Sequence, residues 1–351
     1  MARRDQVIVT IASPLEPELV QPLGEISSRL EIRFAPDLLP APRYPCDHRG
    51  EEGFRRDPAG ESRWREMLGA AEVLFGIPGE APAELARVVA ASDRLRWVQG
   101  TAAGTGEQVR AAALSVRELE RVAFTSARGI HATMLAEFAL MGLLAFTKDL
   151  ARLQADQAQR RWEHRPLGEL RGKTVLILGM GEIGVETARL TRALGMHPIA
   201  VNRRGRSDSP DVDEVHPPEG LHGMLERADA LVVTLPLTDQ TAGLLNAEAL
   251  ARLPPGAILV NVGRGGVIDE RALIDALRQG RLRGAALDVF ASEPLPAESP
   301  LWGLPNVLLS PHTAALSVHE NERLVELFAE NLRRYLDGRP LRNRVDTTHF
   351  Y

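Results

Sequence analysis

Short apolar runs recur along the chain, separated by segments with helical periodicity. In the first 125 residues, Val7–Ala12, Glu31–Ala35, Glu72–Gly76, Arg96–Gly100 and Val122–Ser126 read as strands. PELVQPLGEISSRL, PAELARVVAAS and a third, less regular segment read as the helices between them. This alternation predicts a small α/β unit with a parallel sheet. Pro36–Gly60 interrupts it; rich in Pro, Gly, Arg and Asp, it reads as a long surface excursion. His131–Leu153 then carries a helical pattern that is apolar on most sides, which predicts burial, between domains or between subunits. After a polar arm come six further strand-like runs: Thr174–Leu178, His197–Val201, Ala230–Leu235, Ala257–Val262, Ala285–Phe290 and Val307–Pro311. Helical stretches separate most of them, as in a doubly wound dinucleotide-binding sheet. A last helix, roughly Val318–Leu336, is placed to cross back and complete the first domain.

The bulk properties narrow the function. A length of 351 residues suggests two domains. A net charge of −5 and a pI of about 6.0 give no polyanion-binding surface, so no nucleic-acid partner is expected. The longest uninterrupted apolar stretch, Phe138–Phe146, is too short to span a bilayer, and no membrane association is expected. The N-terminus lacks the apolar core and cleavage site of a signal peptide, so a cytoplasmic location is expected. Cys46 is the single cysteine, and the nine histidines show no ligand spacing, which argues against an intrachain disulfide and a metal centre.

Gly179, Gly181 and Gly184 spell G-M-G-E-I-G directly after an apolar strand and at the start of an amphipathic helix. In that context the first glycine permits the tight turn and the second lets backbone amides approach a pyrophosphate. The third allows close packing of helix on strand. The helix N-terminus adds unpaired donors and a positive dipole end.

Ligands of an open parallel sheet bind beyond the carboxyl ends of its strands. The residues placed there are Asn202, Arg203 and Arg204 after the second strand, Pro236 and Thr241 after the third, and Arg264 after the fourth. Asp288 and Glu293 lie in and after the fifth strand, and His312 after the sixth. A cation, a carboxylate and an imidazole beside a dinucleotide suit reduction of a keto acid. Histidine titrates near neutrality and serves as proton donor or base. Glu293 is placed to orient it, and Arg264 to clamp a substrate carboxylate and polarise the reacting carbonyl. Asp288 can accept from the nicotinamide amide.

VNVGRGGVIDERAL, ALDVFASEP and LPNVLLSPHTA resemble the signature segments of the D-isomer-specific 2-hydroxyacid dehydrogenases. The order and spacing of Arg264, Glu293 and His312 are similar to the family's Arg, Glu and His, and the likeness runs from Leu170 to Ala314. It implies an NAD(P)-dependent oxidoreductase acting on the CH–OH group of 2-hydroxy acids, with Arg264 on the substrate, Glu293 supporting the histidine and His312 as acid/base. It also implies that amides of Glu182 and Ile183 hold the pyrophosphate, and that Pro236, Thr241, Val262 and Asp288 line the cofactor site. RWVQGTAAGTGEQV is similar to the family's substrate loop, which makes the amides of Ala103 and Gly104 the substrate-carboxylate donors; where the family often has serine, this chain has Gly100-Thr101-Ala102.

The implied fold is α/β with two Rossmann-like domains, a doubly wound cofactor domain (128–316) inserted in a smaller flavodoxin-like substrate domain (1–127 plus 317–351). The implied assembly is a homodimer through the cofactor domain. Among the family's branches, the glyoxylate/hydroxypyruvate and other 2-ketoacid reductases are nearest in look. The alternatives are a dinucleotide-sensing interaction protein like the family's corepressors and a short form of phosphoglycerate dehydrogenase.

The stretch V-N-R-R-G-R, Val201–Arg206, bears on the cofactor. An acid at its second position would accept from both ribose hydroxyls and repel a 2′-phosphate. Asn202 removes that repulsion while still offering a hydrogen bond, and Arg203 and Arg204 can clamp a phosphate and stack on adenine. NADP(H) is therefore expected to be preferred, with NAD(H) still admitted.

Overall fold

Runs such as VIVTI and AILVN are almost wholly aliphatic and buried at every position, as strands covered on both faces are. In the computed structural model, which describes residues 6–350, they form the centres of two all-parallel sheets. The chain divides into two units: Met1–Ile130 with Leu316–Tyr351 (unit 1), and His131–Ala315 (unit 2).

Unit 1 holds β1 (Val7–Ile11), β2 (Leu30–Arg33), β3 (Val73–Phe75), β4 (Trp97–Gln99) and β5 (Ala123–Thr125) in the order β2-β1-β3-β4-β5. This is the flavodoxin-like winding. Leu74, Val98 and Phe124 point into one core layer with Leu85 and Val89 of the helix Pro82–Ala91. Val9, Phe75 and Trp97 point into the other, which is closed by Leu324, Phe328 and Leu332 of the helix Glu320–Leu336. Phe328 packs edge-on to Phe75 at 5.0 Å between ring centres and against Trp97 at 5.1 Å.

Three expectations for unit 1 need correction. PELVQPLGEISSRL is not one helix: a single α-turn, Pro17–Val20, passes into a 3₁₀ segment, Gln21–Glu25. Pro22 cannot donate and Gly24 is a weak helix former, so the longer helix does not propagate. A helix absent from the expectation, Pro58–Ala70, begins within the excursion, capped by Asp57, which accepts from the Gly60 amide at 2.6 Å. The excursion is also not a surface feature throughout, because Leu38, Leu39, Cys46, Asp47 and His48 are buried. Asp47 explains this. It accepts from the Arg43 guanidinium at 2.7 and 3.1 Å and from the amides of Arg43 and Arg49 at 3.0 and 3.3 Å. The turn so formed carries its neighbours Cys46 and His48 inward. These bonds hold the Asp47 carboxyl far below the usual carboxylate range, against the opposing effect of burial. Burial pushes the Cys46 thiol up to about 12.

Unit 2 holds β6 (Thr174–Leu178), β7 (His197–Val201), β8 (Glu214–His216), β9 (Ala230–Val233), β10 (Ala257–Asn261), β11 (Leu282–Leu287) and β12 (Val307–Leu309). Their order, β12-β11-β10-β9-β6-β7-β8, reverses between β6 and β9, the topological switch point of a Rossmann sheet. β8 is an unanticipated edge strand, half-buried throughout, whose E-V-H carries no apolar run to betray it. β11 begins three residues before the expected run, with Arg283 outward in an otherwise buried strand. The long apolar helix is two helices, Ala132–Thr147 and Leu150–Ala158. Asp149 breaks it by adopting φ +50°, and Arg283 holds the break, donating to the Phe146 carbonyl at 2.7 Å and to Asp149 at 2.8 Å. Met141, Leu144, Leu150 and Leu153 of this pair are exposed in the single chain. Among the described residues no helix is long and apolar enough to cross a membrane, and no cluster of His, Cys, Asp and Glu could hold a metal ion.

Candidate active site

β6 ends in the glycine turn. Gly179 takes φ +101°, a conformation that favours glycine, and a Cβ on Gly184 would lie 2.0 Å from the Gly179 carbonyl oxygen. Around Gly181, by contrast, nothing lies within 4 Å of a would-be Cβ. The helix Glu182–Ala193 starts there without a side-chain cap, and among the described residues the amides of Glu182 and Ile183 have no partner. An open cradle of free amides at the positive end of a twelve-residue helix fits a pyrophosphate.

At the end of β7, Asn202 organises the arginine loop from within. Its amide nitrogen donates to the Arg206 carbonyl at 2.9 Å, and its Oδ1 accepts from the Arg204 amide at 2.9 Å. Both polar atoms of Asn202 are thus engaged inside the loop. Arg203 and Arg204 are exposed, and among the described residues neither guanidinium has an ion-pair or hydrogen-bond partner. After β9, Thr241 fastens the loop it belongs to: its hydroxyl donates to the Pro236 carbonyl at 2.7 Å and accepts from the Thr238 amide at 2.8 Å. Val262, just past β10, is buried.

Arg264 follows β10, flanked by glycines for a packing reason. A Cβ on Gly263 would meet the Leu235 carbonyl oxygen at 2.6 Å, and one on Gly265 the Phe290 backbone at 1.9 Å. The turn is threaded between two neighbouring strand ends, which pins the backbone of Arg264 while its side chain stays exposed. Nη1 donates to the Gly263 carbonyl at 2.9 Å.

Glu293 and His312 meet, with Nδ1 of the ring 2.7 Å from Oε2 of the carboxylate. Glu293 Oε1 accepts from the Phe290 amide at 3.0 Å. Burial works against ionisation of Glu293. The hydrogen bonds from His312 and Phe290 and the charges of His312 and Arg264 outweigh it and hold the carboxyl below its ordinary value. An ionised Glu293 makes Nδ1 the donor and leaves Nε2 free to exchange a proton with a reacting oxygen. His312 takes φ +56°, uncommon for a residue with a Cβ. Asp288 secures that turn: its Oδ1 accepts from Ser310 Oγ at 2.7 Å and from the amides of Thr313 and Ala314 at 2.9 Å each, while its carbonyl accepts from the His312 amide at 3.0 Å. Asp288 is therefore engaged first of all with the histidine turn. Ser310 and Thr313 are not among the residues that the strand-end rule picks out; their signal in the sequence is the pair of hydroxyl residues flanking Pro-His.

In unit 1, the amides of Ala103 and Gly104 have no partner, while the Ala102 carbonyl accepts from the Thr105 hydroxyl at 2.6 Å and the Ala127 amide at 3.1 Å.

Known proteins share this fold and much of this sequence. The family model for the D-isomer specific 2-hydroxyacid dehydrogenase NAD-binding domain matches residues 140–314. A D-isomer specific 2-hydroxyacid dehydrogenase family protein from Aeromonas salmonicida subsp. salmonicida has a crystal structure that superposes with a TM-score of 0.76 at 32% identity, covering 97% of this chain and 99% of that one. An NADPH-dependent glyoxylate/hydroxypyruvate reductase from Sinorhizobium meliloti, solved with NADP and sulfate, gives a TM-score of 0.73 at 27% identity over 99% and 100% of the two chains. D-3-phosphoglycerate dehydrogenase of Mycobacterium leprae is 36% identical over 291 residues, 79% of this chain; the match spans only about half, 53%, of that relative. A nicotinamide-dinucleotide domain wound as in these proteins, matched over nearly the full length of solved members, leaves one assignment: the chain belongs to the D-isomer specific 2-hydroxyacid dehydrogenase family and is an oxidoreductase.

Proposed function

We propose that the protein is an NADPH-preferring reductase of small 2-keto acids such as glyoxylate and hydroxypyruvate. The observation that carries the reading is the 2.7 Å pair of His312 and Glu293 beside Arg264, on the strand-end edge that also bears the glycine cradle. When bound, the dinucleotide supplies a hydride to C2 of the keto acid. His312 Nε2 gives the proton that the developing alkoxide needs, and takes it back in the reverse direction. Glu293 keeps the ring oriented, with Nδ1 as its donor and Nε2 turned to the substrate. Arg264 pairs with the substrate carboxylate and polarises the carbonyl. The open amides of Ala103 and Gly104 are the further carboxylate donors. Asp288, fixed at the strand end, is assigned to the nicotinamide amide through its remaining acceptor capacity as well as to the histidine turn.

Arg203 and Arg204, uncommitted within the protein, are assigned to the 2′-phosphate. A homodimer through unit 2 would cover the exposed Met141, Leu144, Leu150 and Leu153, and light scattering tests it. A cytoplasmic location belongs to the same reading.

The assay is oxidation of NADPH and of NADH with glyoxylate, hydroxypyruvate, pyruvate and 3-phosphohydroxypyruvate. Turnover of the first two with NADPH is expected. Turnover confined to the phosphorylated acid would favour a phosphoglycerate dehydrogenase, and none with any acid would favour the interaction protein.

A further inference from the structure

We propose that Glu80 is a positioning residue for the substrate-carboxylate turn Thr101–Gly104, holding it by a carboxylate bridge from Thr101 to Gln108. The inference rests on the reading of Ala103 and Gly104 as carboxylate donors and deepens it.

The bridge is direct. Glu80 Oε1 accepts from the Thr101 hydroxyl at 2.7 Å, and Oε2 accepts from Gln108 Nε2 at 2.9 Å. These partners lie on either side of the two open amides, Thr101 ahead of them and Gln108 in the helix Thr105–Ala111 that follows. The turn's own lock is one-sided: Thr105 bonds back to the Ala102 carbonyl, and nothing within the turn restrains Thr101. Glu80 comes from a different strand end, beyond β3, and so ties the turn to the sheet rather than to itself.

The backbone is arranged to present that carboxylate. Glu80 takes φ +52°, directly after Gly79 at φ +62°. A residue with a Cβ is disfavoured there, and glycine would be comfortable. A position that would suit glycine but holds glutamate keeps it for its side chain. The charge of the same carboxylate reaches the excursion. His48, buried and bonded through Nδ1 to Ser13 Oγ at 3.1 Å, is acted on electrostatically by Glu80 and Glu320.

A hydrogen-bonded clamp of this kind affects substrate binding more than cofactor binding, because a displaced donor pair weakens every contact made to the carboxylate. The test uses the full chain with Glu80→Gly, Glu80→Gln and wild type. Glu80→Gly removes the bridge and relieves the left-handed backbone, so Tm is expected to stay within about 2 °C of wild type. KM for glyoxylate and Ki for oxalate are expected to rise about tenfold, with KM for NADPH moving less than about twofold. Glu80→Gln keeps an acceptor for Thr101 and offers a donor to the unpartnered Oε1 of Gln108, so it is expected to recover most of the loss. Hydrogen exchange of the peptide spanning 100–108 is read without any turnover, and Glu80→Gly is expected to speed it. Unchanged exchange and an unchanged oxalate Ki would overturn the proposal, as would a parallel rise in the KM for NADPH. If wild type reduces no keto acid, the functional reading fails, while the exchange measurement still judges the bridge.

Discussion

The carboxyl edges of the two sheets are built in opposite ways. In unit 2, each candidate catalytic side chain follows its own strand within a few residues and is held by backbone: Arg264 by glycines threaded between strand ends, His312 by the Asp288 staple. In unit 1, the edge is assembled from distant segments. His48 arrives on a long excursion, Glu80 follows another strand, and Glu320 opens the helix Glu320–Leu336. The first kind of edge presents exposed groups on rigid turns, as proton and charge transfer require. The second gathers its polar groups from separate segments, with His48 and Glu320 buried and Glu80 half-buried, as a wall that shapes a loop requires.

The sharpest way to break this contrast is at the imidazole. His312→Asn is expected to lower kcat about a thousandfold with cofactor binding retained, measured by stopped-flow and NADPH fluorescence. A loss under tenfold would mean that the exposed edge of unit 2 does not carry the chemistry. Arg264→Ala is expected to cost about a hundredfold in kcat/KM for keto acids, and Arg264→Lys to recover only part, since a point charge lacks the fork. Next comes the cofactor loop: Arg203→Ala with Arg204→Ala is expected to raise KM for NADPH about tenfold and to leave KM for NADH nearly unmoved. Equal effects would return these arginines to ordinary surface.

The smallest effect belongs to the unit 1 wall. Asp47→Ala should lower stability by about 1–2 kcal/mol in urea unfolding at neutral pH, because it strips acceptors from two backbone amides. The sign of its pH dependence follows from the depressed carboxyl of Asp47. Its contribution is complete above the ordinary carboxylate value and is lost only as pH falls through the lower folded-state value. The gap between wild type and variant should therefore hold from pH 7 down to about 4 and narrow only in stronger acid.

What was legible in the chain follows the same divide. Parallel strands buried on both faces announce themselves as unbroken apolar runs, and the residues just past them inherit their positions. Glu293 and His312, nineteen positions apart, could therefore be placed together before the structure put them at 2.7 Å. The break at Asp149 could not, because a left-handed residue inside an apolar pattern is imposed by Arg283, more than a hundred positions away. Nor could the burial of the excursion, whose Pro, Gly and charged residues read as solvent-facing until Asp47 is seen gathering them. The engagement of Asp288 with the histidine turn was hidden because its partners are mostly backbone amides, which leave no mark in a sequence. The cofactor loop lies between: its arginines were plain, but the Asn202 side chain is spent on the loop itself.

The discontinuity of unit 1 also orders events at the ribosome. Unit 2 is a single uninterrupted segment, so it can close as soon as residue 315 has emerged. Unit 1 begins to form earlier yet finishes later. One face of its sheet, with Phe75 and Trp97, lacks its cover until Leu324, Phe328 and Leu332 have been made. For the time it takes to synthesise nearly two hundred further residues, that face is exposed apolar surface, the state in which nascent chains aggregate or recruit chaperones.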